Sequence, residues 1–306
     1  MKTLGKLAVP VQQMAEVQAQ RSLGAHAFHL CLVLPSFPPA LPGQFIMLRV
    51  TEGGDPLLGR AMAVYRIERS RSRVILEVVY RVVGRGTDLL SRVIPGRRME
   101  VMGPLGRAFR LPPPGTRPIL VGGGTGIASL HLLAKVLAAA RRAQSDRRSR
   151  DLDVLIGART RKEILCRADF AALGARVRLA TDDGSQGTRG HVAALLDKVM
   201  AEGKRRGHPF GLVYACGPTP MMEAAWRICE RDKVACQVSL EGPMACGMGV
   251  CLGCAVPCRV ESPDAAIVSP PARYKLMCTD GPVFDASGLE WGWEEGPAAR
   301  PEGKAS

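Results

Sequence analysis

The sequence predicts an α/β protein with an all-β beginning: an antiparallel β-barrel, a doubly wound parallel-sheet domain, then a small cysteine-bearing lobe. Three observations carry this. Short apolar runs separated by Gly/Pro turns fill residues 24–110, and strands and helices then alternate to residue 239. Beyond Leu240 the alternation stops, and three cysteines fall within nine residues in EGPMACGMGVCLGC (241–254). At 306 residues the chain has room for two large units and a small one.

In the first unit, strands are expected at 28–34, 44–50, 61–67, 73–83 and 98–102, punctuated by Leu41-Pro42-Gly43 and Ile94-Pro95-Gly96. Residues 107–118, with Pro112-Pro113-Pro114-Gly115, form a stiff connector that regular structure crosses poorly. The second unit opens with a strand at 118–121 that runs into Gly122-Gly123-Gly124-Thr125-Gly126 and a helix at 127–142. Strands at 152–157, 176–181, 211–215 and 234–239 then interleave with helices at 161–173, 191–202 and 219–230. That order means βαβ units and a parallel sheet. Residues 288–306, rich in Gly, Pro, Ala and charge, read as a tail. The expected boundaries are 1–112, 113–239, 240–286 and 287–306.

Lys and Arg exceed Asp and Glu by 42 to 28, a net charge of +14. Much of the excess sits in Arg141-Arg142, Arg147-Arg148-Ser149-Arg150 and Lys204-Arg205-Arg206, where exposed loops or helix ends are expected. No zinc-finger, helix-turn-helix or RNP pattern accompanies it and aromatics are 5%, so nucleic acid is not the expected partner. The start, MKTLGKLAVPVQQMAEVQAQ, lacks the apolar core of a signal peptide, and no apolar run approaches about 18 residues. A cytoplasmic protein with no membrane association is expected. Thiols stay reduced there, so clustered cysteines point to metal or catalysis before disulfides.

Cys246, Cys251 and Cys254 have the spacing C-x4-C-x2-C, and Cys278 follows in KLMCTDGP. This is the plant-type [2Fe-2S] spacing, three ligands in one loop and a distant fourth. Gly247, Gly249 and Gly253 let such a loop adopt positive φ and aim N–H groups at the sulfurs. Four thiolates also suit zinc, although a closed zinc site generally has two C-x2-C knuckles and this chain has one. Cys258 extends the pattern toward a four-iron motif, but Pro257 precedes it instead of following, so it reads as a bystander. Cys31, Cys166, Cys229 and Cys236 lie in apolar surroundings and read as core.

Two loops are candidates for phosphate. Gly122–Gly126 follows a strand and opens a helix, as does YACGPTPMM (214–222), and paired loops at strand carboxyl ends are where a doubly wound sheet holds its ligand. Each also reads as an ordinary tight turn. A third, Gly84-x-Gly86-Thr87, reads alone as a capped turn.

Taken in order, Gly86-Thr87, GPLGRAF (103–109), VGGGTGIASL (121–130), TDDGSQGTRGHV (181–192), YACGPTPMM and the cysteine loop resemble the ferredoxin–NADP reductase superfamily. Within it, the electron-transfer subunits of NAD-dependent dihydroorotate dehydrogenase B are the most similar, from about residue 20 to Asp285, with 241–284 the most specific stretch. The resemblance implies an FAD-holding barrel, an NAD-binding domain and a [2Fe-2S] lobe. It also implies a partner, an FMN-containing dihydroorotate dehydrogenase catalytic subunit, in a heterotetramer of two copies of each chain. By position the flavin motif falls on Arg60, Ala61, Met62 and Ala63, with Val79, Tyr80, Arg81, Gly86 and Thr87 completing the FAD site. Pro and Ser of that motif are both Ala here, so the hydroxyl commonly near the flavin is missing at Ala63.

NAD is expected across Gly123, Gly124, Thr125 and Gly126 and across Gly217 and Pro218, with Cys216 near the nicotinamide, or simply a small residue ending a strand. Asp182-Asp183-Gly184 reads as a turn whose acids lean toward NAD over NADP. The implied role is conversion between one- and two-electron transfer: electrons from dihydroorotate pass through FMN, the cluster and FAD to NAD, within UMP biosynthesis. The chain alone would then show only diaphorase activity. Two rivals remain: a diaphorase subunit of a hydrogenase or transhydrogenase complex, and a zinc-stabilised binding protein. The net charge also suits an acidic partner face, which sets encounter rate more than affinity.

Overall fold

The computed structural model describes residues 7–50, 55–142, 152–259 and 273–292. Among them, the first unit is a seven-stranded antiparallel half-barrel in the order β4-β3-β7-β1-β2-β6-β5. Its strands are β1 (Val11–Gly24), β2 (Ala27–Leu34), β3 (Phe45–Arg49), β4 (Arg60–Ala63), β5 (Arg66–Arg69), β6 (Val74–Arg81) and β7 (Arg98–Leu105). A short helix, α1 (Arg85–Ser91), follows β6.

Two departures from expectation have clear causes. The longest strand, β1, was not expected before residue 24, because Gln, Ala, Met and Glu in VQQMAEVQAQ favour helix. Pairing with β7 on one side (Val11↔Gly103 to Glu16↔Arg98) and β2 on the other overrides that preference and buries Ala15 and Val17. The single strand expected at 61–67 is two. At Val64 and Tyr65 the chain changes partners, Val64 N–H donating to Gln44 O and Tyr65 N–H to Glu77 O, so it crosses from one edge of the sheet to the other.

The second sheet has the order β11-β10-β9-β8-β12-β13-β16. The strands β8 (Pro118–Gly123), β9 (Asp153–Ala158), β10 (Arg176–Thr181), β11 (Thr188–Arg189), β12 (Leu212–Cys216) and β13 (Ala235–Ser239) are parallel. Strand β16 (Val283–Asp285), from beyond the cysteine loop, adds antiparallel to β13. Helices α2 (Gly126–Ser129), α3 (His131–Arg142) and α4 (Arg167–Ala172) cover one face, and α5 (Val192–Arg205) and α6 (Thr219–Asp232) the other. The order reverses between β8 and β12, which makes the crevice above their carboxyl ends the ligand position of a doubly wound sheet.

The helix expected at 127–142 is broken at Leu130, whose N–H bonds back to Ile127 O in a tightened turn before α3 begins. The helix expected at 161–173 is a 3-10 turn at Arg161–Glu163 followed by α4. Leu165 turns inward, and Cys166 takes a left-handed conformation (φ +59°) that interrupts the helical ladder.

Strands β14 (Ala255–Pro257) and β15 (Tyr274–Leu276) form a hairpin in the cysteine lobe. One apolar core runs from Phe45, Met47 and Leu105 of the half-barrel, past α5 and α6, to Cys254, Met277 and Cys278. The expected tail begins too early: Leu289 is buried and Trp291 Nε1 donates to Ala286 O at 3.0 Å, because two apolar side chains dock on the sheet here. The rest of that stretch lies outside the described residues, as does the Arg147-Arg148-Ser149-Arg150 cluster. Lys204, Arg205 and Arg206 are exposed, but Arg141 is buried on the inner face of α3.

Candidate redox site

The glycines after β8 and β12 let the two loops interlock. A Cβ at Gly126 would lie 2.5 Å from Gly217 N, and one at Gly217 would lie 3.0 Å from both N and O of Gly123. Gly124 has φ +56° and nothing within 4 Å of its Cβ position, so that turn is open toward ligand. Gly123, Gly124, Thr125 and Pro218 line a cavity of about 720 Å³ that extends past Arg159, Glu163 and Asp182. Its size and position suit a dinucleotide.

A second cavity, of about 230 Å³, lies between the half-barrel and the parallel sheet. It has room for a ring system and not for a whole dinucleotide. Ala61, Met62, Ala63, Val79, Tyr80, Arg81 and Thr87 line it. Arg60 and Gly86 lie just outside, against each other: a Cβ at Gly86 would collide with the Arg60 guanidinium, whose Nη1 donates to the carbonyls of Leu58 and Gly59, each at 3.0 Å. Thr87 Oγ1 accepts from Val83 N–H (2.9 Å) and Gly84 N–H (3.1 Å), holding this turn. A ring filling the small cavity would leave its pyrophosphate near Arg60, a fitting partner for phosphate. The wall at position 63 is methyl, and Thr125, Ser129 and Ser239 line the cavity beside it.

Arg81, Thr125 and Glu241 line both cavities, so the two meet there. Sequence reasoning passed over Glu241; its place between the last parallel strand and the first cysteine of the loop was the available signal. Desolvation raises its carboxyl above the ordinary range, opposed by a hydrogen bond from Cys216 Sγ to Oε1 at 3.7 Å. Cys216 itself is 0% exposed and lines neither cavity, but its thiol lies directly behind the wall, hydrogen-bonded to Glu241, Ser129 and Ser239, which do line the ring cavity. Residue 216 ends β12, and burial pushes its thiol well above its usual range.

The four anticipated cysteines gather in the third unit as two pairs. Cys254 Sγ and Cys278 Sγ are 3.3 Å apart, and the Met277 N–H to Cys254 O bond at 3.0 Å ties their strands together. Cys246 Sγ accepts from the N–H of Cys251 (3.5 Å) and of Met248 (3.4 Å), and these bonds pull its thiol down to about 6. Gly247 (φ +74°) packs on the half-barrel, since a Cβ there would lie 2.7 Å from Met47 Cγ. Among the described residues no three His, Cys, Asp or Glu side chains surround one point as a single ion requires. Two pairs of thiols are the donor set a two-iron cluster takes, two for each iron. Cys258 Sγ faces Val256 O at 3.8 Å, apart from the four. Cys229 and Cys236 are buried, whereas Cys31 and Cys166 are only partly so.

Comparison with known proteins agrees with this layout. Residues 241–290 match the iron–sulfur cluster binding domain of dihydroorotate dehydrogenase B, and residues 120–227 match the oxidoreductase NAD-binding domain. The electron transfer subunit of dihydroorotate dehydrogenase B (NAD(+)) from Desulforamulus reducens is 38% identical over 252 residues, 82% of this chain and 87% of that one. The corresponding subunit from Geobacillus thermodenitrificans is 38% identical over 247 residues, 80% of this chain and 85% of that one. Among solved structures, the NADH-dependent reduced ferredoxin-NADP oxidoreductase superposes with a TM-score of 0.74 at 28% identity, covering 90% of each chain. At that identity and coverage, this chain belongs to the family of dihydroorotate dehydrogenase B (NAD(+)) electron transfer subunits.

Proposed function

We propose that this chain carries electrons from an FMN-containing dihydroorotate dehydrogenase catalytic subunit, through a [2Fe-2S] cluster and FAD, to NAD, in pyrimidine biosynthesis. The carrying observation is one short segment. Glu241, Gly242 and Met244 form a wall of the small cavity, and Cys246, two residues on, is the first thiol of the lobe. Ring cavity, dinucleotide cavity and thiol lobe therefore adjoin, with no residue of the chain wasted between them.

Residues 1–112 serve the flavin, 113–239 the nicotinamide nucleotide and 240–286 the cluster. Ala61 to Ala63, Val79 to Arg81 and Thr87 hold the flavin ring, and Arg60 with Gly86 its pyrophosphate. Gly123, Gly124, Thr125, Gly126, Gly217 and Pro218 hold the pyrophosphate of NAD. Cys246, Cys251, Cys254 and Cys278 hold the cluster. When bound, flavin supplies exchange between hydride and single electrons, and the cluster supplies single-electron passage. The chain's own part is to keep the groups close and to place the Glu241 carboxyl where the two cavities meet.

The partner surface is the cysteine loop. Met248, Val250 and Leu252 are 52%, 76% and 63% exposed around the exposed Cys251, an apolar patch beside the thiols, where a one-electron donor must dock. Two such chains with two catalytic subunits complete the assembly. No helix among the described residues is long and apolar enough to cross a membrane, and the reduced thiols suit the cytoplasm. Identity of 38% to these subunits, against 28% to the ferredoxin-NADP oxidoreductase, favours this reading over a transhydrogenase complex. The test is reconstitution: mixed with a catalytic subunit, the chain should support dihydroorotate-dependent reduction of NAD+. Alone it should oxidise NADH with artificial acceptors and leave dihydroorotate untouched, and dihydroorotate turnover by the single chain would refute the proposal.

A further inference from the structure

The ring cavity and the dinucleotide cavity meet at a frame to which all three units contribute. Arg81 ends β6 of the half-barrel, Thr125 precedes α2 on the parallel sheet, and Glu241 leads into the cysteine lobe. Among the residues that line the ring cavity, two carry a formal charge, Arg81 and Glu241. Arg81 is the cation that faces this cavity, so its surroundings decide how much positive charge is felt there.

Those surroundings come from the nucleotide unit. Arg81 Nη2 lies 3.6 Å from Glu163 Oε2, in the turn after β9, and the same oxygen lies 3.3 Å from Arg159 Nε. The side chains of Arg81 and Glu163 are 24% and 17% exposed, whereas that of Arg159 is 72% exposed. Water and salt screen Arg159, while the sheltered Arg81–Glu163 pair acts through a lower dielectric. One carboxylate is thus shared between a sheltered cation and a solvated one, which leaves Arg81 partly uncompensated. Glu163 does not line the ring cavity and meets it only through Arg81.

We infer that Glu163 sets the reduction potential of the flavin, by holding and partly neutralising Arg81 at the edge of the ring cavity. This rests on the reading of that cavity as the flavin site. When a ring there takes hydride from NADH, NAD+ is released and the ring gains two electrons and one proton, which leaves it with one negative charge. A cation beside it favours the charged, reduced ring over the neutral, oxidised one and raises the potential. A carboxylate paired with that cation offsets the rise. Glu163 is therefore a positioning residue, and Arg81 is the group that faces the ring.

The test is spectroelectrochemical titration of the flavin- and cluster-loaded chain. Glu163→Gln keeps the length of the side chain and removes its charge. It should favour reduced over oxidised flavin by about threefold to tenfold, an upward shift of about 14 to 30 mV for a two-electron couple. Arg81→Gln should move the potential down by a similar factor. In that background, adding Glu163→Gln should have less than about half its effect, because the remaining partner, Arg159, is screened. Asp169→Asn is the control: Asp169 pairs with Arg66 between the same two units, and neither side chain lines either cavity. Its potential should match wild type. An equal shift in Asp169→Asn would trace the effect to loosened units and overturn the inference. So would a flavin-loaded Glu163→Gln protein whose potential is unchanged or lowered, and in both cases the flavin reading stands. If the wild-type chain holds no flavin, that reading fails and takes the inference with it. Glu163→Ala serves as the second variant should the amide fold poorly.

Discussion

Gly86 shows how an absent side chain shapes a binding position. The space its Cβ would take belongs to the end of the Arg60 side chain, which is flexible and exposed to displacement. Gly86→Ala should therefore leave the melting temperature close to wild type while reducing FAD affinity about tenfold or more, read from flavin content and fluorescence titration. His131 makes a different point. Its Nδ1 lies 3.3 Å from Tyr65 O, its ring is 4.6 Å from the Tyr65 ring, and burial, aided by Arg66, pulls its pKa down to about 4. The unfolded chain titrates near 6.5, so the folded state binds fewer protons between these values. Stability is full above about pH 6.5 and falls as pH drops toward 4, by about 2 kcal/mol at pH 5. The partner carboxylates Glu77 and Asp169 are held below their ordinary range and stay ionised at that pH. His131→Gln should flatten the loss of melting temperature between pH 7 and pH 5; an unchanged slope would count against this account.

At the scale of elements, pairing partners decide what propensity leaves open. Strand β1 is made from helix-favouring residues and becomes the centre of the half-barrel because both neighbours are already in register for it. The turn at Arg161–Glu163 is the opposite case, a helical pattern interrupted so that Glu163 can face Arg81. Strand β4 presents Ala61 and Ala63 where the resembling motif has Pro and Ser, so the hydroxyl is missing at position 63. Ala63→Ser should add one hydrogen-bond donor to the ring cavity without disturbing the backbone. The flavin midpoint potential should then move by about 20 mV, the equivalent of about 1 kcal/mol for a two-electron couple, and spectroelectrochemistry measures it. No movement would count against a hydrogen bond to the ring at this position.

Across the whole molecule, the cysteine lobe is an inserted extension of the parallel sheet. The chain leaves β13, forms the thiol loop on the half-barrel, and returns as β16 beside β13. All three units thereby fix one another, which electron transfer between two groups requires of its scaffold. Cys278 pairs with Cys254 across 24 residues, and Cys258 lies outside the set. After anaerobic purification, Cys278→Ser should lose most of its iron and sulfide while Cys258→Ser retains both and keeps the visible spectrum. Equal loss from the two variants would remove Cys258 from the bystanders.

Much of this was legible in residue order alone. The alternation of strands and helices, the two glycine loops and the spacing of four cysteines are local records, because each reflects what a residue does within a turn or two of itself. The same locality explains what was hidden. Cys216 looked reactive by position, yet its burial depends on which elements cover β12. Glu241 and Glu163 looked ordinary, yet one stands where two cavities meet and the other between guanidiniums from two different units. Periodicity and spacing thus determined the fold class and the ligand set. Only the packing of distant segments decided which carboxylates face the cavities, because desolvation and charge pairing belong to neighbours in space.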